Sequence, residues 1–173
     1  MSPAAGMELK ALMLAAPPLT LAVAESMTCG GVQARIGAIS GASTFFLGGL
    51  TAYTLDEKVK LLGVDRREAR RVNCVSAEVA AAMATGVGRL FGSDIGIATT
   101  GYAEPDPARG VMEPMAWWAV VRRGPRGRIL GEWTGRVECP GATRTDAQAF
   151  VAEAVLAALA EALKRGRGRA VES

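Results

Sequence analysis

The pattern of apolar and polar residues in the first part of the chain alternates between strand-like and helix-like segments. Residues 8–15 form a short predicted helix that ends before Pro17 and Pro18, because proline does not continue a helix. Residues 19–24 follow as an unbroken apolar run, typical of a strand buried on both faces of a sheet. A loop with paired glycines then leads into a helix predicted over residues 32–39, so the order is strand, turn, helix.

The middle of the chain continues this alternation. Residues 45–54 are predicted to be extended in their second half, and residues 56–62 form a short helix that ends at Gly63. Ser76 has the position of an N-cap for a long helix that continues through Leu90. These segments again place a helix after each extended stretch.

The second half of the chain predicts a strand, a hairpin and a closing helix. Residues 94–99 are a further buried strand, and residues 100–114 are a polar loop rich in proline, glycine and acidic residues. Residues 116–121 and 129–137 form an antiparallel hairpin around a turn at residues 124–127.

A capping-box pattern opens the last helix at Thr145, and that helix is predicted to continue through Leu163. Strands that alternate with helices and then finish in a hairpin predict an α/β fold with a mixed sheet covered by helices. We expect a single domain over residues 1–173, with a core at about 8–163 and a basic, flexible tail at 164–173.

Composition adds limits on what the chain binds and where it works. Half of the residues are apolar but only 5% are aromatic, so alanine and aliphatic side chains build the core. The net charge of +3 becomes −1 without the four basic residues that follow Leu163, which argues against a nucleic-acid-binding face. The three cysteines lack metal-type spacing and favour a cytoplasmic protein. No apolar run reaches the ~20 residues that span a membrane, so we expect no membrane contacts.

Histidine is absent from the sequence, and its absence narrows the chemistry. Ser-His-Asp and Cys-His catalysis and histidine-ligated metal sites are excluded, and the cysteines are too scattered for a zinc site of their own. The P-loop and GxGxxG signatures are absent as well. A general base must then be a lysine, a tyrosine or a carboxylate whose pKa is displaced by its surroundings.

Ser26 directly follows the first buried strand and precedes a helix, at the sheet edge where open α/β folds bind ligands. Backbone N–H groups of the following loop, around Gly30 and Gly31, can hold an anion or a developing oxyanion. Ser26 is then a nucleophile, Thr28 a polar contact, and Glu25 a residue that holds the loop. The alternative is that the hydroxyl groups only cap the helix, and this stretch alone favours it.

Tyr53 lies at a strand end and Lys58 in the first turns of a short helix, so a turn can bring the lysine back towards the tyrosine. A partly buried lysine near a helix N-terminus loses its proton more easily and can activate a serine hydroxyl, with Tyr53 relaying or orienting the proton. The alternative is an exposed lysine paired with Asp56 or Glu57, and this stretch alone favours that alternative.

Five ordered segments resemble the CinA carboxyl-terminal domain family. Residues 24–30 are similar to its AES-x-TGG start, and residues 48–58 to its GG-x-x-AY-x-x-x-x-K segment. Residues 61–64 match its LLGV motif, and residues 75–84 and 98–101 are further matches in the same order. The similarity extends over roughly residues 8–163, nearly the whole chain, and the five segments together are far more specific than any single motif.

The resemblance implies a single-domain three-layer α/β/α sandwich that hydrolyses nicotinamide mononucleotide to nicotinic acid mononucleotide and ammonia. The family's proposed catalytic serine, tyrosine and lysine fall on Ser26, Tyr53 and Lys58, and neither a metal nor a cofactor is required. We therefore expect a metal-independent amidohydrolase in which Ser26 attacks the carboxamide while Lys58 and Tyr53 handle its proton. The predicted substrate contacts are Thr28, Gly30, Gly31, Thr100, Gly101, Arg109 and Arg144.

The sequence departs from the family where the substrate is expected. The family's TTG-x-AGP loop and its glycines suit close approach to a phosphate, but Glu104 and Asp106 stand here and would repel one. Cys29 replaces the first glycine of the TGG pair, and Gln148 replaces the second of two basic residues, of which Arg144 matches the first.

These departures leave alternatives to the amidohydrolase open, although Arg109 can compensate the added acids. One is a non-catalytic homologue that acts as a small-molecule-binding or assembly domain. Another is an enzyme for a less phosphorylated amide. For the protein as a whole we expect a small-molecule substrate, a pyridine nucleotide or a related amide, and a homo-oligomer that binds neither nucleic acid nor membrane.

Overall fold

A computed structural model of the chain describes residues 1–168, and five strands form one mixed sheet within them. The strands are β1 (Leu21–Glu25), β2 (Phe46–Thr51), β3 (Ile95–Tyr102), β4 (Met115–Arg123) and β5 (Ile129–Glu138). The helices of this part of the chain are α1 (Pro3–Leu14), α2 (Gly31–Gly37), α3 (Leu55–Leu62), α4 (Arg66–Arg71), α5 (Ala77–Phe91) and α6 (Arg144–Gly168). None of these described helices is both long and apolar enough to cross a membrane.

The order of the strands places a switch point at the end of β1. β1 lies between β2 and β3 and is parallel to both, whereas β4 is antiparallel to its two neighbours, β3 and β5. The chain therefore leaves β1 towards one side of the sheet and later returns to its other side. Open α/β sheets bind ligands outside the carboxyl end of a strand at such a point. Ser26 is the first residue after β1.

Alternating side chains of β1 supply a separate apolar core on each face of the sheet. Leu21 and Val23 pack with residues of α1, α2 and α6, and Ala22 and Ala24 pack with residues of α3, α4 and α5. All four side chains are fully buried, as the unbroken apolar run predicts. The three-layer α/β/α sandwich with a mixed sheet and a terminal antiparallel hairpin is therefore confirmed.

Two glycines let α5 pack closely against its neighbours. A Cβ atom on Gly96 of β3 would lie 1.9 Å from the carbonyl oxygen of Ala84, and one on Gly86 of α5 would lie 2.1 Å from that of Leu62. Both distances are far below van der Waals contact. Glycine is needed at these positions because backbone meets backbone there.

Helix α4 is absent from the sequence-based prediction. Its sequence, RREARR, has no apolar period, and only Ala69 is buried. The helix forms because Asp65 caps it, accepting a hydrogen bond from the N–H of Glu68 at 2.8 Å, and because α3 ends immediately before it.

Both ends of α6 differ from the prediction. Thr143, rather than Thr145, caps its start: the hydroxyl accepts from the N–H of Asp146 and donates to the carboxylate of the same residue. The helix continues through Gly168, five residues beyond its predicted end at Leu163. Lys164 pairs there with Glu161 at 2.9 Å and with Glu8 of α1 at 2.8 Å, which ties this turn to α1. Residues 169–173 of the predicted tail lie outside the described residues.

Candidate active site

Ser26 and Lys58 meet at the carboxyl ends of the parallel strands. The amine nitrogen of Lys58 lies 2.9 Å from the hydroxyl oxygen of Ser26. The lysine is 1% exposed and the serine 6%. Ser26 is held at the end of β1 by its N–H bond to the carbonyl of Thr99, whereas Lys58 extends from α3. The fold thus brings together two side chains from separate sequence segments.

Backbone carbonyls complete the surroundings of the Lys58 amine. It donates to the carbonyl oxygens of Ala52 at 2.8 Å and Tyr53 at 3.1 Å, in addition to its contact with Ser26. An ammonium group can donate to all three oxygens. A neutral amine has two N–H groups for the carbonyls and a lone pair that accepts the hydroxyl proton of Ser26. The same three contacts therefore suit both protonation states.

Burial lowers the pKa of Lys58, because the ammonium form loses its hydration inside the protein, and the Coulomb interaction with the Cys74 thiol, when that thiol is ionised, opposes this shift. The two acids considered as partners of an exposed lysine are engaged elsewhere. Asp56 pairs with Arg66 at 2.6 Å, and Glu57 lies 4.0 Å from Lys60. The alternative of an exposed, ion-paired Lys58 is therefore wrong.

Glu25 holds the loop that carries Ser26, as the sequence predicts. Its fully buried carboxylate accepts from the N–H groups of Gly30 at 3.0 Å, Val32 at 3.0 Å and Gln33 at 2.9 Å. A fourth bond comes from the Gln33 side-chain amide at 3.1 Å. The carboxylate thereby satisfies N–H groups at the start of α2 that have no partner within the helix.

The prediction that N–H groups around Gly30 and Gly31 stabilise an oxyanion is wrong, because both groups already have acceptors. The N–H of Gly30 is bonded to Glu25, and the N–H of Gly31 donates to the carbonyl of Thr28 at 2.9 Å. Within residues 1–168, the N–H groups of Met27 and Thr28 make no hydrogen bond. Met27 directly follows the serine, the position that supplies an oxyanion donor at other nucleophilic serines. The sequence reasoning missed this donor because backbone N–H groups have no residue signature.

Gly30 and Gly31 line an open pocket of about 410 Å³ beside this loop, together with Thr28, Arg35 and Gln148. The side-chain amide of Gln148 donates to the carbonyl of Met27 at 2.8 Å, so α6 packs directly against the loop.

Three further predicted substrate contacts have structural partners. The hydroxyl of Thr28 lies 2.7 Å from that of Thr99, and the hydroxyl of Thr100 donates to the carbonyl of Cys74 at 2.7 Å. β3 continues through Tyr102, so Thr100 and Gly101 belong to a strand and not to the predicted loop. A Cβ atom on Gly101 would lie 2.2 Å from the carbonyl of Met115. Their contact with a substrate stays a prediction.

Tyr53 contributes its carbonyl, and not its phenol, to the Ser26–Lys58 contact. The side chain is 53% exposed, and within the described residues the phenol makes no hydrogen bond to either residue. Hydrogen bonds to Glu104 and then to Tyr53 raise the pKa of Arg144. The phenol thus lies beside Arg144 at the surface, and its part in proton transfer stays a prediction.

The two acids of the β3–β4 loop are paired with the two arginines predicted to bind substrate. Arg144 lies 2.5 Å from Glu104, and Arg109 lies 2.5 Å from Asp106. Arg109 also lines a groove of about 850 Å³ on the α4 side, which neither Ser26 nor Lys58 lines. The structure therefore places Arg144, but not Arg109, near the residues that surround Ser26.

Comparison with known proteins agrees with this architecture. The family model of the CinA C-terminal domain matches residues 6–163. The chain belongs to the CinA C-terminal domain family. In this family member Cys29, which stands where the family motif has glycine, adopts a φ of 50°, the left-handed region that glycine enters without strain.

The relatives share part of the chain at high identity. A CinA-like protein of Synechococcus sp. is 54% identical over 86 residues, which are 50% of this chain and 21% of that protein. A protein of Moorella thermoacetica described as competence-damage inducible is 52% identical over 93 residues, 54% of this chain and 22% of that protein. This CinA-family chain thus spans less than a third of the length of the curated relatives it matches.

Solved structures extend the similarity over the whole fold. A CinA superfamily protein from Enterobacter cloacae superposes with a TM-score of 0.83 at 25% identity, covering 93% of this chain and 91% of that one. A second, from Klebsiella pneumoniae, has a TM-score of 0.83 at 27% identity and covers 94% of this chain and 98% of that one. The names of these proteins specify no reaction.

Proposed function

We propose that this chain hydrolyses a small primary carboxamide, with Ser26 as the nucleophile and Lys58 as the base. The supporting observation is the 2.9 Å contact between a buried serine hydroxyl and a buried lysine amine. The resemblance to the family implies nicotinamide mononucleotide as the first substrate to test, giving nicotinic acid mononucleotide and ammonia.

The first half of the reaction uses Lys58 as base and then as acid. Neutral Lys58 takes the hydroxyl proton as Ser26 Oγ bonds to the carboxamide carbon, and the N–H of Met27 faces the oxygen that becomes negative. The C–N bond then breaks. The Lys58 ammonium donates its proton to the departing nitrogen, so ammonia leaves and an ester joins the acyl group to Ser26.

The second half repeats these steps with water. Water adds to the ester carbon and gives a proton to Lys58. The bond to Ser26 Oγ breaks and the serine takes that proton back, so the acid product and the starting enzyme are restored. Tyr53 is an orienting residue in this proposal, because its carbonyl holds the Lys58 amine and its phenol stands at the entrance beside Arg144.

Ammonia release from nicotinamide mononucleotide and other small amides tests the proposal. Ser26→Ala and Lys58→Met should each reduce kcat by ~10³-fold or more, as removing one member of a nucleophile–base pair does. Ser40→Ala and Lys60→Met, at exposed positions, are the matched controls and should retain activity. Activity that persists in Ser26→Ala would exclude the serine mechanism.

The second candidate function is a small-molecule-binding domain without turnover. One observation favours it: the acids Glu104 and Asp106 occupy Arg144 and Arg109, which leaves fewer groups to anchor a substrate. Saturable ligand binding by the folded wild-type protein, with no product from any amide, would identify this function in place of hydrolysis.

A further inference from the structure

We infer that this site selects carboxamides without a phosphate on their distal part, because Glu104 neutralises Arg144, the arginine near the Ser26 loop. The preferred class is a neutral or cationic amide, such as a pyridinium nucleoside. The inference rests on the proposed function, since it concerns the substrate of the same Ser26 site.

Arg144 lies near the loop that carries Ser26. It is the first residue of α6, and Gln148 lies one turn later on the same face of the helix. Gln148 donates to the carbonyl of Met27, the residue next to Ser26. On the other side, Tyr53 is close enough to raise the pKa of Arg144, and the Tyr53 carbonyl accepts from the Lys58 amine. These neighbours place Arg144 beside the loop that carries Ser26, so its charge acts on a substrate bound there.

The charge of Arg144 is cancelled where a phosphate would need it. Its guanidinium lies 2.5 Å from the Glu104 carboxylate, and this contact lowers the pKa of Glu104, which keeps the acid ionised at neutral pH. Further along the same loop, Asp106 lies 2.5 Å from Arg109 and is only 24% exposed. The pair of Arg144 and Glu104 therefore carries no net charge, and neither does the pair of Arg109 and Asp106, which borders the groove on the α4 side.

Arg35, the cation that lines the neighbouring open pocket, is engaged as well. Its guanidinium donates to the carbonyl of Gly31 at 3.0 Å and lies 3.7 Å from the carboxylate of Glu153. Within the described residues, each arginine around the Ser26 loop thus has an acidic neighbour. An approaching anion meets as much negative as positive charge.

This charge balance has opposite effects on the two kinds of substrate. A phosphate monoester carries roughly −1.5 to −2 charges at neutral pH and must displace or approach the carboxylate of Glu104. At contact distance in water, each unfavourable carboxylate reduces affinity about fivefold. A pyridinium nucleoside carries a positive charge without the phosphate, so the same carboxylates attract it.

The test compares nicotinamide mononucleotide with its dephosphorylated form, nicotinamide riboside, at low ionic strength. Wild-type protein should have the higher kcat/KM for the riboside. Glu104→Gln should shift the ratio about fivefold towards the mononucleotide, because the freed guanidinium of Arg144 then faces the phosphate. Glu138→Gln is the matched control: it removes the acid of an exposed pair with Arg136 at 2.8 Å and should leave the ratio unchanged. Raised salt should shrink the shift.

Calorimetric dissociation constants separate a failure of this inference from a failure of the proposed function. The two ligands are titrated into the Ser26→Ala protein and into its Glu104→Gln derivative. If wild type releases no ammonia from either amide, hydrolysis is refuted, and tighter binding of the riboside still supports the charge argument. Three results would overturn the inference. The first is equal or tighter binding of the mononucleotide to the protein that retains Glu104, and the second is a ratio of the two dissociation constants that Glu104→Gln leaves unchanged. The third is no binding of either ligand.

Discussion

Replacing Glu25 by glutamine tests how the loop around Ser26 is held. The carboxylate accepts four hydrogen bonds and is fully buried, with each oxygen serving two donors. Glutamine has nearly the same shape, but one of its oxygens is replaced by an NH2 group. That group faces N–H donors and cannot accept from them.

The expected loss in free energy of unfolding depends on how many of the four hydrogen bonds to residue 25 remain in the glutamine variant. If the amide oxygen takes the position that serves Gly30 and Val32, the Gln33 side chain can turn its own oxygen towards the new NH2 group. The N–H of Gln33 then has no acceptor, and an unsatisfied buried donor costs about 1–3 kcal/mol. The two remaining bonds lose the added strength of an ionised acceptor. We expect the free energy of unfolding to fall by about 3 kcal/mol.

Urea denaturation followed by circular dichroism measures this change for wild type and Glu25→Gln. The matched control is Asp65→Asn, because Asp65 is an exposed cap that accepts one N–H bond, from Glu68. Asparagine caps as well as aspartate, so this control should lose less than about 0.5 kcal/mol. A loss in Glu25→Gln as small as in the control would refute the claim that the four bonds hold the loop.

Two further predictions concern packing and titration. In urea titrations, Gly96→Ala should lower the free energy of unfolding by about 3 kcal/mol or more, because its Cβ would lie 1.9 Å from the Ala84 carbonyl oxygen. Gly37→Ala has open space around the new Cβ and should raise the free energy of unfolding by about 0.5–1 kcal/mol. Equal effects of the two substitutions would exclude the packing argument. Because burial puts the pKa of Lys58 below the 10.5 of a free lysine, the unfolded state binds more protons between these two values, and the stability contributed by this group should rise with pH across that window. The difference in free energy of unfolding between wild type and Lys58→Met, measured as a function of pH, isolates this contribution. The same difference between wild type and Lys60→Met should not change with pH. If the difference for Lys58→Met does not change with pH either, the amine of Lys58 is not desolvated.

Helix α5 shows how far local sequence signals reach. Its N-cap at Ser76 was predicted, and its predicted extent through Leu90 is one residue short of the observed end at Phe91, because capping depends on neighbours within one turn. Helix α4 lacks an apolar period, so the apolar pattern does not reveal it, although its cap at Asp65 is a local signal. The last turn of α6 is held by Glu8, more than 150 residues away in the chain, which local patterns do not reveal.

In the candidate site, too, some features could be predicted from the sequence and others depend on the tertiary structure. The residues Ser26 and Lys58 could be named in advance, from their positions after a buried strand and early in a helix, together with the resemblance to a family. Their 2.9 Å contact depends on the parallel pairing of β1 and β2, a long-range feature. Tyr53 is close enough to raise the pKa of Arg144, and no spacing rule in the sequence gives this pairing.

The amino-acid sequence by itself determined the α/β alternation, the helix caps, the absence of histidine chemistry and the buried character of β1, because each depends on residue type and nearest neighbours. Only the tertiary structure decided which charges meet. The pairs of Arg144 with Glu104 and of Arg109 with Asp106 depend on where the β3–β4 loop folds back. Burial, likewise a property of the assembled layers, lowers the pKa of Lys58.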